Sequence, residues 1–182
     1  GVWCPTVWEN GGYTVLHNEG NWTNAEGVSN DGNTIWGKAY NPESNQVEAA
    51  IWVRDGDSWQ EFTLGVLSGT FPGYGEAVCN DMTENGDVIV GYNAFDLYTG
   101  TGFVWTLEEG MVSADTFFEN EGFVIPDNYT IGTLTGISHN GVVITGFCYD
   151  TSVFPNEVHG FIATRENVSA VPENAIPRSV SL

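Results

Sequence analysis

One turn sequence recurs at a fixed interval and limits what the chain can fold into. Gly27-Val28-Ser29-Asn30-Asp31-Gly32-Asn33-Thr34-Ile35-Trp36-Gly37 has the pattern of a strand, a tight turn and a second strand that reaches glycine. It returns as Asp81-Met82-Thr83-Glu84-Asn85-Gly86-Asp87-Val88-Ile89-Val90-Gly91, and again as Gly136-Ile137-Ser138-His139-Asn140-Gly141-Val142-Val143-Ile144-Thr145-Gly146. The turn glycines stand at 32, 86 and 141, a period of 54 and then 55 residues. Self-similarity at such a period is the signature of a repeat architecture.

The pieces around each turn alternate apolar and polar residues with a period of two, as half-buried antiparallel strands do. Each repeat opens on a strand: Pro5–Glu9, Ala49–Val53 and Gly102–Thr106, carrying Trp8, Trp52 and Trp105 at the same place. Asn10-Gly11-Gly12 and Asp55-Gly56-Asp57 supply the positive φ that hairpin turns need. The expected fold is therefore all-β, with tandem antiparallel four-stranded repeats at about 1–45, 46–100 and 101–165 in a single domain, residues 1–165. A β-sandwich built from the same hairpins is the alternative. Ser113 to Gly122 adds a serine cap, early acidic residues and a closing glycine, and so predicts one short helix. Residues 166–182 read as an extended, Pro-containing linker or a terminal strand. Because position 1 is Gly, a processed, trimmed or partial chain is expected.

Trp8, Trp52 and Trp105, with Gly37, Gly91 and Gly146, are the expected repeat core, since a Trp at a fixed place in every repeat usually packs between neighbouring sheets. Val158–Thr164 looks like a fourth opening strand, with Phe161 and Ile162 near the Trp place.

Charge narrows the function. Four Lys and Arg oppose 24 Asp and Glu, a formal net charge of −20. Such a surface repels phosphate backbones and anionic lipid, so nucleic-acid binding is not expected. No apolar run is long enough to span a bilayer, so membrane insertion is not expected either. A salty or extracellular setting suits the acidity. Cys4, Cys79 and Cys148 are odd in number, so either one disulfide plus a lone thiol or three reduced thiols fits, with the pairing open.

No catalytic constellation stands out. His17, His139 and His159 lie far apart and lack zinc-site spacing. Ser29, Thr83 and Ser138 recur in every repeat, as turn hydroxyls do and a single nucleophile does not. Asp31, Asp55, Asp57, Asp81 and Asp87 cluster at turns, which makes calcium a secondary expectation behind plain turn formation; no other cofactor is expected. Glycosidase chemistry needs only two carboxylates, and nothing here singles out a pair. Asn21, Asn128 and Asn167 begin acceptor sequons and are candidate glycosylation sites. Trp22, Trp59, Phe71 and Tyr74 are loop aromatics suited to glycan contact.

The unit of an opening strand near Trp, a turn and a Gly/Ala-x-Ser-x-Asp-Gly-x-x-Ile-x-Gly hairpin resembles the extracellular HAF-type repeats of exported bacterial proteins. Residues 5 to about 164 fit it. The resemblance implies blades like those of a β-propeller and an exported, cell-surface protein; it carries no catalytic residues over. The tail Val171-Pro172-Glu173 to Ser181-Leu182 is similar to linkers that precede a sorting segment in surface proteins. Three blades form an incomplete array, since propellers use about four to eight. An open array leaves an edge at each end, and exposed edges template pairing with another chain. The expectation is a non-enzymatic extracellular structural protein that self-assembles into a fibre or surface layer through β-edges or through terminal segments 1–9 or 171–182. A module that binds glycans or a surface partner is the alternative, and a hydrolase ranks last.

Overall fold

The computed structural model of the protein describes residues 3–17, 22–68, 75–94 and 100–165, and the backbone of 178–181. It is all-β apart from one short helix. In chain order the elements are β1 (Thr6–Glu9), β2 (Gly12–Val15), β3 (Asn24–Val28), β4 (Thr34–Asn41), β5 (Gln46–Asp55), β6 (Ser58–Gly65), β7 (Glu76–Met82), β8 (Val88–Ala94), β9 (Gly100–Thr106) and β10 (Gly110–Ser113). Then come α1 (Ala114–Asn120), β11 (Phe123–Val124), β12 (Tyr129–Ile137), β13 (Val143–Asp150), β14 (Glu157–Thr164) and β15 (Arg178–Ser181).

Antiparallel pairing groups these strands into β3-β4-β5-β6, β7-β8-β9-β10 and β12-β13-β14-β15, with β1-β2 as a separate hairpin. One parallel bridge, Val47 to Glu76, links the first two groups into an eight-stranded sheet. A short parallel pairing adds β11 to β15. The recurring turn thus joins the first two strands of each unit, and the Trp-bearing strand is the third strand of the unit before it. The expected division at 45/46 falls in the β4–β5 connection, and that at 100/101 falls inside β9. The period is the same; the hydrogen bonds start each unit about half a repeat later. By the same shift, β14 is the third strand of the third unit, between β13 and β15, rather than the opening of a fourth.

Each turn is built alike. Gly32, Gly86 and Gly141 have φ between 71° and 74°, the left-handed region that a β-carbon disfavours. The hydroxyls of Ser29, Thr83 and Ser138 accept the N–H groups of Thr34, Val88 and Val143 at 2.9, 3.1 and 2.9 Å. This is the turn role read from the sequence.

The glycines five residues on, Gly37, Gly91 and Gly146, lie inside β4, β8 and β13 rather than at a strand end. Each sits opposite a β-bulge in the first strand, at Ala25/Gly27, Cys79/Asp81 and Leu134/Gly136. The carbonyl just before each bulge stands close to the glycine. A β-carbon would meet Asn24 O at 2.1 Å, Val78 O at 1.9 Å and Thr133 O at 2.2 Å respectively. The repeat glycine exists to make room for the neighbouring backbone.

The units pack face to face. Ile35, Ala39, Ala50 and Trp52 look from the first unit toward the β1-β2 hairpin, where Val7 of β1 and Leu16 just after β2 cover them. Trp36 and Ala49 look the other way and share a cluster with Ala77, Cys79, Ile89 and Phe103 of the second unit. Val90 and Val104 leave the second unit's far side to meet Ile131, Leu134, Ile144, Phe161 and Ala163 of the third. Helix α1 closes this last interface with Phe117 and Phe118, and Ser113 caps it by accepting the Thr116 N–H, as the sequence predicts. Described cations tie the layers together: Arg54 to Glu9 at 2.8 Å, Lys38 to Glu76 at 2.8 Å, Arg165 to Glu121 at 2.9 Å.

Candidate functional site

The two ends of this stack are its unusual surfaces, and the Trp place explains the first. Trp105 stands one residue before the pair that closes its hairpin, Thr106 with Gly110, and lies across from Met111. Both pack against the cluster that the second unit shares with the first. Trp8 holds the same position in the β1-β2 hairpin, one residue before Glu9 with Gly12, across from Tyr13. It points the same way, toward a preceding unit, but among the described residues none stands there. Trp8 is 76% exposed, so the expectation that it belongs to the core is corrected, while Trp52 is fully buried and Trp105 is partly buried. The Trp8 and Tyr13 rings lean on each other with centroids 5.2 Å apart, and Val15 and Trp3 are exposed nearby in sequence.

The far end shows the opposite face of the same repeat. On β13 and β14, Ile144, Cys148, Phe161 and Ala163 turn inward, so Phe147, Val158 and Ile162 turn out. The Trp register itself is taken by Ala163, which pairs with Ile144 as Trp52 pairs with Ile35 and Trp105 with Ile89. Sequence reasoning placed Phe161 and Ile162 near that register and did not single out Phe147 or Val158. Their signal is the outward phase of a strand pair on which, among the described residues, no further unit packs.

The three turns converge. His139 O accepts the Glu84 N–H at 3.0 Å, and the Asn30 amide lies 3.3 Å from His139 Nδ1. His139 is exposed there as a turn residue. His17 instead pairs with Glu61 at 2.8 Å, and His159 packs edge-on against Tyr129. Among the described residues, no three His, Cys, Asp or Glu side chains gather as a metal-holding group. Asp31 serves its own turn, accepting from Ser29 Oγ and from Asn33, and Asp81 Oδ2 accepts the Ile137 N–H of the next unit at 2.9 Å. Asp87 takes the Asn85 amide. Asp55 closes the β5-β6 pairing opposite Ser58, and Asp57 is exposed in the turn between them.

Those bonds hold the Asp31 carboxyl at about 2, below its usual 3.8, chiefly through the Ser29 hydroxyl and then Asn33. A lowered native pKa means that the fold favours the carboxylate. Its contribution is present above the unfolded value and is lost as pH falls from 3.8 toward about 2. A carbon-detected titration should find the Asp31 midpoint near 2, and Ser29→Ala should move it upward. An unshifted midpoint in the native protein would contradict this geometry.

All three cysteines are free thiols, so the disulfide left open by the sequence is not formed. Cys79 is buried between the first and second units and Cys148 between the second and third, while Cys4 is exposed. Burial pushes the Cys79 thiol up to about 12, which makes it an inert core group. Of the sequons, Asn128 donates its amide to Asp150 at 3.0 Å; Asn21 and Asn167 lie outside the described residues. Of the loop aromatics, Trp22 is exposed, Trp59 is covered by the Arg54 guanidinium at 4.4 Å, and Phe71 and Tyr74 lie outside the described residues. Arg178–Ser181 is engaged within its own chain, pairing with β14 and β11. Among the described residues no helix is long and apolar enough to cross a membrane. No protein-family profile matches this chain, and no curated protein is significantly similar to it.

Proposed function

We propose that this protein is a non-enzymatic structural component of the cell exterior that assembles from copies of itself. The observation that carries the proposal is the pair of bare apolar faces at the two ends of the stack. Among the described residues β1-β2 holds two strands where each other unit has four, and both outermost faces present large apolar side chains. Among the described residues no strand pairs with the outer edges of β1 and β3, which suits them to strand addition. The acidic surface keeps such a stack soluble, and it also opposes association through like-charge repulsion. Assembly of the 182-residue chain should therefore strengthen as salt rises and screens that repulsion. Light scattering and negative-stain imaging across protein and salt concentration test this. Rings or fibres favoured by salt are the expected result, and a monomer under every condition would end the proposal.

Glycan binding is the second reading. It draws on the exposed indole of Trp22 and on the paired rings of Trp8 and Tyr13, which form an open aromatic platform. A stable monomer retained by an insoluble polysaccharide would put it first.

A further inference from the structure

The interfaces inside the stack specify how its two ends can meet. One position in the third strand of each unit makes the case. It is Ala49 in the first unit, Gly102 in the second and Gly160 in the third, each just before the residue that pairs with the repeat glycine. Ala49 is fully buried between the first and second units. A β-carbon on Gly102 would touch Ile131 Cγ2 at 3.1 Å and Leu134 Cγ at 3.3 Å, both from the third unit. On Gly160 it would meet nothing within 4 Å.

The residue two places further on repeats the lesson. Ile51 packs into the first interface and Val104 is fully buried in the second, but Ile162 is 55% exposed. So this side of a unit is made to be covered by the unit that follows, and on the third unit it is bare. The side that does the covering is equally defined. In the second unit it includes Trp105 and Met111, which share a cluster with Ile51 and Leu64 of the first. Trp8 and Tyr13 occupy the Trp105 and Met111 positions and are bare too.

We infer that the Trp8–Tyr13 face of one molecule docks on the Phe147, Val158 and Ile162 face of a second copy, head to tail, as each unit docks on the one before it. This rests on the self-assembly reading and names the surface that carries it, apolar faces rather than strand edges. The two faces differ, so the contact is heterologous and propagates until a ring closes or continues as a filament. The docked hairpin supplies only the outer two strands of a unit, so its main contact is Ile162 on β14, with Phe147 on the neighbouring β13 at its margin. Bulky aromatics at the centre of such a contact carry much of its energy.

Two double variants test it without changing charge: Trp8→Ser with Tyr13→Ser, and Phe147→Ser with Ile162→Ser. All four side chains are exposed, so near-ultraviolet circular dichroism and the unfolding midpoint should confirm that each variant is folded. In sedimentation velocity at a salt concentration where the unaltered chain assembles, each variant alone should lose every species larger than a monomer. An equimolar mixture should form a dimer and stop, because each partner keeps one intact face. Assembly of either variant alone to the unaltered extent, a homodimer of one variant, or a mixture that stays monomeric would overturn the docking inference while the self-assembly reading stands. An unaltered chain that never associates would overturn both.

Discussion

Gly91→Ala is expected to destabilise the protein by about 3 kcal/mol or more, the upper range for overpacking a well-filled site. The added carbon would stand 1.9 Å from Val78 O and 2.8 Å from two atoms of the Phe103 ring. A ring can rotate, but the carbonyl belongs to β7, one residue before its bulge, and can retreat only if that strand moves. Moving β7 disturbs Asn80, whose carbonyl accepts Trp36 Nε1–H at 3.0 Å and whose amide donates to Leu134 O at 2.7 Å. One methyl group thus strains contacts to both neighbouring units. Gly37→Ala and Gly146→Ala should behave alike, since the same carbonyl approaches within 2.1 and 2.2 Å. Gly160→Ala is the control: the site is open, and a smaller unfolded-state entropy should leave stability unchanged or raised by up to about 1 kcal/mol. Urea unfolding of the four variants measures this, and similar midpoints for Gly91→Ala and Gly160→Ala would refute it. Typical domains hold about 5–15 kcal/mol, so the first variant should lose a large part of its margin.

The glycines show what the sequence could and could not convey. Recurrence marked Gly37, Gly91 and Gly146 as important, yet their reason is a bulge in the strand across, which leaves no trace at the glycine itself. The hairpin turns were legible because Ser29, Asn30, Asp31 and Gly32 carry their conformation locally. The unit boundary was not, because a periodic sequence looks the same wherever it is cut. Only hydrogen bonding decides that Ala49 to Val53 is the third strand of one unit and does not begin the next.

The end faces follow the same rule. Trp8 and Trp105 are equivalent by position, and burial differs because among the described residues only Trp105 has a preceding unit to pack on. Exposure of Phe147, Val158 and Ile162 likewise reflects that no described unit packs on the third, which no local pattern in β13 or β14 conveys. The cysteines were open for a similar reason: spacing alone does not tell that Cys79 and Cys148 sit in different interfaces.

Trp52→Ala should cost about 3–5 kcal/mol, the usual loss for emptying a large buried aromatic site. Trp52 is fully buried among Ile35, Ala39 and Ala50 under Val7 and Leu16, so the cavity would open between the first unit and the β1-β2 hairpin. Its Nε1–H also donates to Glu61 Oε2 at 2.7 Å, where His17 Nδ1 lies 2.8 Å from the same oxygen. Trp52→Phe keeps most of the volume and deletes that donor, so a smaller loss of about 1–3 kcal/mol is expected. Trp8→Ala, the same residue type at the same repeat position, should change the stability of the monomer by no more than about 0.5 kcal/mol. Its cost should appear in association instead, where the indole meets its missing neighbour. Measured side by side at a protein concentration too low for assembly, the two alanine variants separate what a repeated Trp contributes inside a stack from what it contributes at an open end. Equal losses would mean that the β1-β2 hairpin is itself covered in the monomer, and the open-ended stack would have to be abandoned.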